Sequence, residues 1–596
     1  MLFRPELCGT RGAIASTHWL ASAAGIRMFD RGGNAFDAAA AAAFTIQVVE
    51  PHLNGPAGDA PILLYAAATQ RVEVVCGQGP MPGNATIDAF RRLGLAEVPG
   101  SGLLAATVPG AFGAWLRAAR DHGRLRLADL LEPAIGYAAG GYPLLPKAAL
   151  MIEVMAPLFR DEWTESGRVY LPHGEVPRPG SRMTNPLLAR TFERIVAEAK
   201  AATHDRDGQF DAAMRAFYEG FVAEAIDKFV STTEVVDATG DRHGGLLTGA
   251  DLAAWRPPVE RPLSLDYRGF EVHKAGPWSQ GPVFLQQLAL LAGYDVGALG
   301  FGSADHLHTV VEAAKLAFAD REAWYGDPLF ADVPTAELLD PAYARDRRAL
   351  IGDTASGLLR PGNPAGREPW IPPVLDRGTP NEPDWRRQLD SGIPTVVKRT
   401  AANGDTTCVT ATDRDGNMVV SSPSGGWLKS SPAIPGLGFP LGTRGQMAWL
   451  HGEHNNALAP GKRPRTTLSP TLVLRDGLPY LAFGTPGGDQ QDQWTLNFFV
   501  NHVDFGMSAQ AATEAITFHS DHVPTSFTPR RARPLTVVTE PGFAADTLAQ
   551  LRRRGHEIDV VAPHSLGRVC ATGMDARRMV LAAASHRGDS PYSVVV

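Results

Sequence analysis

Cysteine is scarce and unpatterned in this chain of 596 residues: the four present, Cys8, Cys76, Cys408 and Cys570, share no C-x-x-C spacing. That argues against a zinc ribbon or a disulfide framework and fits a reducing compartment. Long apolar runs are missing as well. The most apolar stretch, Ala38 to Val49, is bracketed by Asp37 and Glu50 and is too short for a hydrocarbon layer about 30 Å thick. Met1 to Gly12 has no basic segment leading into an apolar one, so a cytoplasmic protein with no membrane partner is the expectation. Positive charge is not in excess either. Lys and Arg total 56 against 63 Asp and Glu, a formal net charge of −7, which offers no basic surface for nucleic acid. Gly32-Gly33 lacks the G-x-G-x-x-G frame of a dinucleotide site. The pairs His306 with His308, His451 with His454 and His519 with His522 lack a H-E-x-x-H frame. They read as core or surface histidines, and no metal or organic cofactor is expected. No internal repeat or low-complexity tract appears. Small polar molecules remain as the natural partners.

What is present centres on Gly404 to Gly426. Thr406 to Thr412 is rich in β-branched residues, Asp413 to Asn417 is a turn cluster, and Met418 to Ser422 is a second short strand. A turn symmetric about Asp415 pairs residues whose numbers sum to 830, which sets Thr406 opposite Ser424. Two hydroxyls then face each other at the open end of a hairpin, just after a polar segment, Thr400 to Asp405, that could be cut. A threonine hydroxyl needs an adjacent base to act as a nucleophile, and a chain-terminal amine of pKa roughly 7.7 to 8 is such a base. Cutting between Asp405 and Thr406 would supply it. Taken alone, the stretch reads more readily as an ordinary solvent-facing hairpin whose threonines serve β propensity. Cys408, on the same strand face as Thr406, is a conceivable thiol nucleophile but reads better as a small buried filler.

Around this stretch the pattern is strand-rich at both ends and helical between. Gly12 to Ser16 reads as a strand, His18 to Phe29 as a helix, and Asn34 as the cap of a second, alanine-rich helix to about Val49. Ile62 to Ala67 and Arg71 to Val75 form a hairpin. From Asn84 to about Tyr343 the chain reads as mostly helical scaffold, with Thr248 and Asp251 opening one short helix. Asp346 to Thr400 reads as an extended linker. Trp427 to Gln446, rich in Pro and Gly, suits either a lid over a pocket or a surface excursion. Thr471 to Arg475 and Tyr480 to Phe483 make a hairpin that runs into Gly484-Thr485-Pro486-Gly487-Gly488 and a helix near Gln490 to His502. A strand, a Gly-Gly turn and a helix N-terminus present backbone N–H groups to a developing oxyanion, though the residues alone slightly favour a plain tight turn. Leu535 to Thr539, a helix from Ala544 to Arg553, Ile558 to Val561 and two strands meeting at Asp575-Ala576 complete the chain.

The central stretch resembles the processing site of the gamma-glutamyltranspeptidase family, whose small subunit begins with a catalytic threonine in a T-T-x-x-x-x-x-D-x-x-G-N context. Asp30-Arg31-Gly32-Gly33-Asn34-Ala35-Phe36-Asp37-Ala38-Ala39, Val108-Pro109-Gly110, Phe301-Gly302-Ser303-Ala304-Asp305, Ala319-Asp320-Arg321, Tyr325-Gly326-Asp327-Pro328, Lys462-Arg463-Pro464, Ser469-Pro470-Thr471 and Gly484 to Gly488 follow in the family's order. The resemblance implies an α+β fold, the four-layer αββα sandwich of N-terminal nucleophile hydrolases with a large helical middle region. It implies a large subunit, residues 1–405 with the linker at 346–405, and a small subunit, residues 406–596, intertwined in one core. It assigns the nucleophile to Thr406, the oxyanion hole to Gly487 and Gly488, and nucleophile-lining positions to Ser424, Thr407, Thr466 and Thr467. The implied activity is a self-processing amide hydrolase or acyltransferase acting on a small-molecule amide. A true glutathione hydrolase or gamma-glutamyltransferase, a non-enzymatic binding relative, and a metal hydrolase using the histidines are the competing readings.

The sequence departs from the family where the γ-glutamyl group is held. The arginine that takes the α-carboxylate is replaced by Gln78 or a glycine, the acids that follow the family's Gln-Met by Ala448 and Trp449, and an asparagine by Gly426. Arg444 or Arg465 could take a carboxylate on a simpler acyl chain, with Trp427 and Trp449 as an apolar wall. These changes resemble the family's cephalosporin acylase and oxamate amidohydrolase branches, so donors without an α-amino group are expected to be preferred.

Overall fold

The computed structural model describes residues 3–372, 406–528, 530–588 and 591–596. Asp405, and with it the expected cut and most of the linker, lies outside the described residues.

Two seven-stranded sheets face each other. One runs in the order Tyr592–Val595, Gly12–Ser16, Val409–Asp413, Met418–Ser421, Ala60–Ala66, Arg71–Gly77, Val259–Glu260; the other in the order Leu7–Gly9, Val580–Ala584, Cys570–Met574, Leu478–Gly484, Thr471–Arg475, Phe270–Lys274, Leu263–Tyr267. All neighbours in both sheets are antiparallel. The helices Trp19–Asp30 and Ala35–Val49 cover the outer face of the first sheet, and Gly281–Leu291 and Gln491–Val503 cover that of the second. This is the four-layer αββα arrangement.

The central hairpin shows how sequence sets the layers. Its register pairs Val409 with Ser421, Thr410 with Val420, Ala411 with Val419 and Thr412 with Met418, the expected sum of 830. Side chains alternate across a strand, so Val409, Ala411 and Val419 pack into the alanine-rich helices. Cys408, Thr410 and Thr412 point the other way, between the sheets. There Thr410 and Thr412 share hydrogen bonds with the Thr572 hydroxyl at 2.8 and 2.9 Å, and Thr410 also donates to the Ala482 carbonyl. Asp413 closes the turn by accepting from the amides of Asp415 and Asn417. The hairpin is buried along both strands, not solvent-facing.

Asn34 caps Ala35–Val49 in a full capping box with Asp37, and Thr248 does the same with Asp251 for Gly249–Ala254. Two features differ from expectation. Leu263–Tyr267 and Phe270–Lys274 interrupt the helical middle and form the edge of the second sheet. The stretch 427–446 is neither lid nor excursion: Ile434, Leu437, Phe439 and Leu441 are buried among the helices, Leu428 N donates to the Pro51 carbonyl and Asn185 to that of Gly438. No helix among the described residues is long and apolar enough to cross a membrane.

Candidate active site

Thr406 stands just before the strand Val409–Asp413, bridged to Ser424 across the open end of the hairpin. Its hydroxyl lies 3.5 Å from Ser424 Oγ, and the residue is only 2% exposed. Being two residues from Cys408, it shares that residue's face, toward the opposite sheet. Thr407 turns the other way: its amide and its hydroxyl both donate to the Pro423 carbonyl at 2.9 Å, which pins the strand beside Thr406.

Ser424 is held in turn by a residue that the sequence reading missed. Asp59 N donates to Ser424 O at 2.8 Å and Ser424 N to Asp59 O at 2.9 Å. The Asp59 carboxylate takes Arg444 Nη2 at 2.8 Å on one oxygen and the Thr466 hydroxyl at 3.3 Å on the other. Burial lifts the Asp59 carboxyl above its ordinary range, against the opposing pull of Arg444. Arg444, expected to face a substrate carboxylate, is thus committed to an internal one. Its guanidinium also lies 5.4 Å from the Trp427 ring centre, and Trp427 packs with Met447 and Phe527. Arg465, the other arginine considered, is paired with Glu322 at 2.9 Å. The only local signal for Asp59 was an acid at the head of an apolar strand.

The Gly-Gly turn begins where the second sheet meets the hairpin. A Cβ on Gly484 would stand 3.0 Å from Cys408 Sγ and 3.1 Å from Ser422 Oγ. Gly487 has φ +141°, and a Cβ there would fall 2.1 Å from the Trp494 ring, so only glycine fits. A 3₁₀ turn, Gly488–Gln490, then leads into Gln491–Val503. Asp489, next to the two glycines, takes Arg321 at 2.5 Å and both the amide and hydroxyl of Ser526 at 2.9 and 2.6 Å. Arg321 also pairs with Glu322 at 2.7 Å. Gly487→Ala is expected to abolish turnover while leaving most of the fold; circular dichroism together with an amidase assay checks it.

Several of the expected site residues carry polar atoms that the protein leaves unpartnered. Gln78 has both amide atoms buried without a hydrogen bond, as are Thr467 Oγ1, Trp449 Nε1 and Arg444 Nε. Such groups are rare in native interiors and call for a partner. Gly426, at the family's asparagine position, has φ +63° and no room for a side chain, since a Cβ would meet Gly58 N at 3.0 Å.

His308, Glu312 and His556 bring ligand atoms within 4.8 Å of one another. Yet Glu312 is taken by Lys315 at 2.5 Å and Arg360 at 2.9 Å, and the two imidazoles bond each other at 2.8 Å. That arrangement is an internal polar network rather than a set of open ligands.

Comparison with known proteins agrees with this architecture. The family profile described as Gamma-glutamyltranspeptidase matches residues 21–595. The chain is 31% identical over 595 residues to the glutathione hydrolase-like YwrD proenzyme of Bacillus subtilis (strain 168), covering 98% of each. It is 32% identical over 521 residues to the acylase ACY 1 proenzyme of Pseudomonas sp. (strain V22), covering 85% of this chain and 82% of that one. Among solved structures, LmbA2991HD matches at 48% identity over 100% of both chains with a TM-score of 0.93. Cephalosporin acylase from Bacillus halodurans matches at 29% identity, covering 100% of this chain and 97% of that one, with a TM-score of 0.82. The chain belongs to the gamma-glutamyltranspeptidase family, and it is an N-terminal nucleophile amidohydrolase or transferase.

Proposed function

We propose that this enzyme cuts itself between Asp405 and Thr406 and then cleaves a small-molecule amide through an acyl-threonine intermediate, using an acyl donor other than γ-glutamyl. The observation that supports this most is the setting of Thr406: a buried hydroxyl at the open end of a hairpin, bridged to Ser424, which Asp59 braces from behind. In self-cleavage the Thr406 hydroxyl attacks the Asp405 carbonyl, the acyl group shifts from nitrogen to oxygen, and water hydrolyses the ester to free the α-amino group. That amine then takes the hydroxyl proton as Oγ attacks the substrate carbonyl, and delivers it to the departing amine as the C–N bond breaks. Water or a second amine adds to the acyl-threonine, and the ester oxygen leaves with the proton restored. In this scheme the Gly487 and Gly488 amides receive the oxyanion; Ser424, Thr466 and Thr467 line the nucleophile, while Gln78 and Trp449 face the acyl group. The two chains stay together as a heterodimer.

The donor assignment rests on what is missing. Gln78, Ala448, Trp449 and Gly426 stand where γ-glutamyl recognition needs charge or an amide. Losing a buried charge partner costs on the order of 3 to 5 kcal/mol, so glutathione should be a poor donor. An acyl-directed inhibitor is expected to add its mass to the peptide that begins at Thr406, and anilide turnover is expected to survive a chelator. Oxamate and glutaryl amides are expected to exceed glutathione and γ-glutamyl anilides in kcat/KM by on the order of 100-fold. No adduct on Thr406 would sink the catalytic assignment; a preference for glutathione would sink only the donor assignment.

A further inference from the structure

The wall that begins at Arg444 ends in a buried cation that no carboxylate of the described residues touches. Arg530 is 4% exposed. Its Nη2 donates to the carbonyls of Gln446 and Ala448 at 3.1 Å each, and its Nη1 to that of Ser526 at 3.2 Å. The guanidinium lies 3.8 Å from the centre of the Trp449 ring. Among the described residues no carboxylate comes within 4.0 Å of it, and Arg530 Nε and Trp449 Nε1 are both buried without a hydrogen bond. Its neighbours deepen the imbalance. Arg321 and Arg465 use Glu322 and Asp489 between them, so at contact distance three guanidiniums share two carboxylates, and half-buried Glu97 attracts Arg530 only from beyond 4.0 Å. Burial lowers the Arg530 pKa to about 10, against the pull of half-buried Glu97 and of Glu322. It remains a cation at neutral pH, and a cation taken out of water calls for an anion.

We propose that Arg530, with the Trp449 indole beside it, anchors a carboxylate at the far end of the substrate's acyl group. The inference rests on the acyl-threonine reading above and names the group that the acyl pocket selects. Position supports the acyl side over the leaving side. Arg530 holds the carbonyls two and four residues beyond Arg444, whose partner Asp59 brackets Ser424 and Thr466. It is therefore joined to the nucleophile by one short wall, at its buried end. In acyl transfer the amine must depart and water or a second amine must enter, so a cation this deeply buried suits the acyl group retained on Thr406 better than the leaving group. Arg530 Nε–H, left without a partner, is the donor available to such a carboxylate, with the indole Nε1–H beside it, and the indole face suits the methylene chain of a dicarboxylic half-amide. Ala448 and Trp449 add no acid that would repel that carboxylate.

The test compares glutaryl p-nitroanilide with its ω-methyl ester and with valeryl p-nitroanilide. The self-cleaved wild-type enzyme is expected to favour the free acid by roughly 100-fold in kcat/KM. Arg530→Gln is expected to lose that factor on the acid and to stay within about threefold on the ester and the valeryl anilide. Equal losses on all three donors would mark Arg530 as purely structural and overturn the proposal, as would an unchanged ratio. A carboxylate effect seen only when the charge is on the aniline would overturn the acyl-side assignment. Should Arg530→Gln fail to fold or to cut itself, the wild-type comparison decides alone: parity between acid and ester refutes the subsite. If wild-type enzyme acylates Thr406 but shows that parity, this inference falls while the proposed mechanism stands; if Thr406 is never acylated, the mechanism itself falls.

Discussion

Replacing Thr406 by alanine is expected to leave a single uncut chain with no measurable amidase activity. One hydroxyl performs two reactions in the proposed scheme, first on the chain's own carbonyl and then on substrate, so its removal stops both. Denaturing mass spectrometry of the unaltered protein should resolve pieces of residues 1–405 and 406–596, whereas Thr406→Ala should give one mass of the full chain. Loss of a nucleophile typically costs on the order of 10⁴-fold or more in kcat, which places residual turnover near background. Thr406→Ser keeps the hydroxyl and should still cut. The packing around residue 406 loses little in the alanine variant, because among the described residues its hydroxyl makes just one long contact, with Ser424; a folded, uncut and inactive protein is thus the specific outcome. An uncut wild-type chain with full activity would refute the scheme.

Arg444→Ala is the second change with a large expected effect, and it acts through Asp59. Truncating the arginine leaves a carboxylate that is 3% exposed and, among the described residues, faces no other cation and keeps Thr466 as its remaining side-chain partner. Breaking a buried ion pair from one side costs about 3 to 5 kcal/mol, whereas replacing both partners by apolar groups of similar volume is often nearly neutral. Arg444→Ala should therefore lower Tm by several degrees and cut kcat sharply, since Asp59 also brackets Ser424. The double variant Arg444→Met with Asp59→Leu should recover stability without recovering activity. Thermal melts paired with anilide kinetics on the single and double variants would show this. A single variant as stable as the parent would mean that the Asp59–Arg444 pair is not formed in solution.

The sequence disclosed some layers and hid others for identifiable reasons. The hairpin register was legible because a turn cluster at Asp413 to Asn417 and the alternation of β-branched residues leave one pairing that keeps apolar side chains on one face. The edge hairpin Leu263–Tyr267 with Phe270–Lys274 was not, because its turn places Arg268 at φ +56° before Gly269, in place of the Asn-Gly or Asp-Gly that announces such turns. Pro and Gly in 427–446 reported backbone geometry and misled about exposure, since the apolar residues between them are core. At the site, the hydroxyls and glycines could be placed by position along the chain. The charges could not: Asp59 meets Arg444 across 385 residues and Arg321 meets Asp489 across 168, and no local pattern encodes such pairings. Arg530 was invisible for the same reason, its neighbours being backbone carbonyls.

The order of strands in the two sheets bears on how this enzyme comes into being. Val409–Asp413, just beyond the proposed cut, lies between Gly12–Ser16 and Met418–Ser421, and Thr471–Arg475 lies between Leu478–Gly484 and Phe270–Lys274. Strands from both sides of residue 405 are interleaved in each sheet, so the pieces could part only by undoing the core. Processing then carries no dilution penalty, because the two pieces are held by interrupted ladders rather than by a docking equilibrium. It also runs in one direction. Before the cut, assembling the sandwich is a first-order search within one polymer; afterwards, a denatured molecule faces a second-order encounter between two chains, neither of which owns a complete sheet. On the proposed scheme, the information needed to fold resides in the intact chain, and the cut that would create the catalyst would also remove its means of being rebuilt.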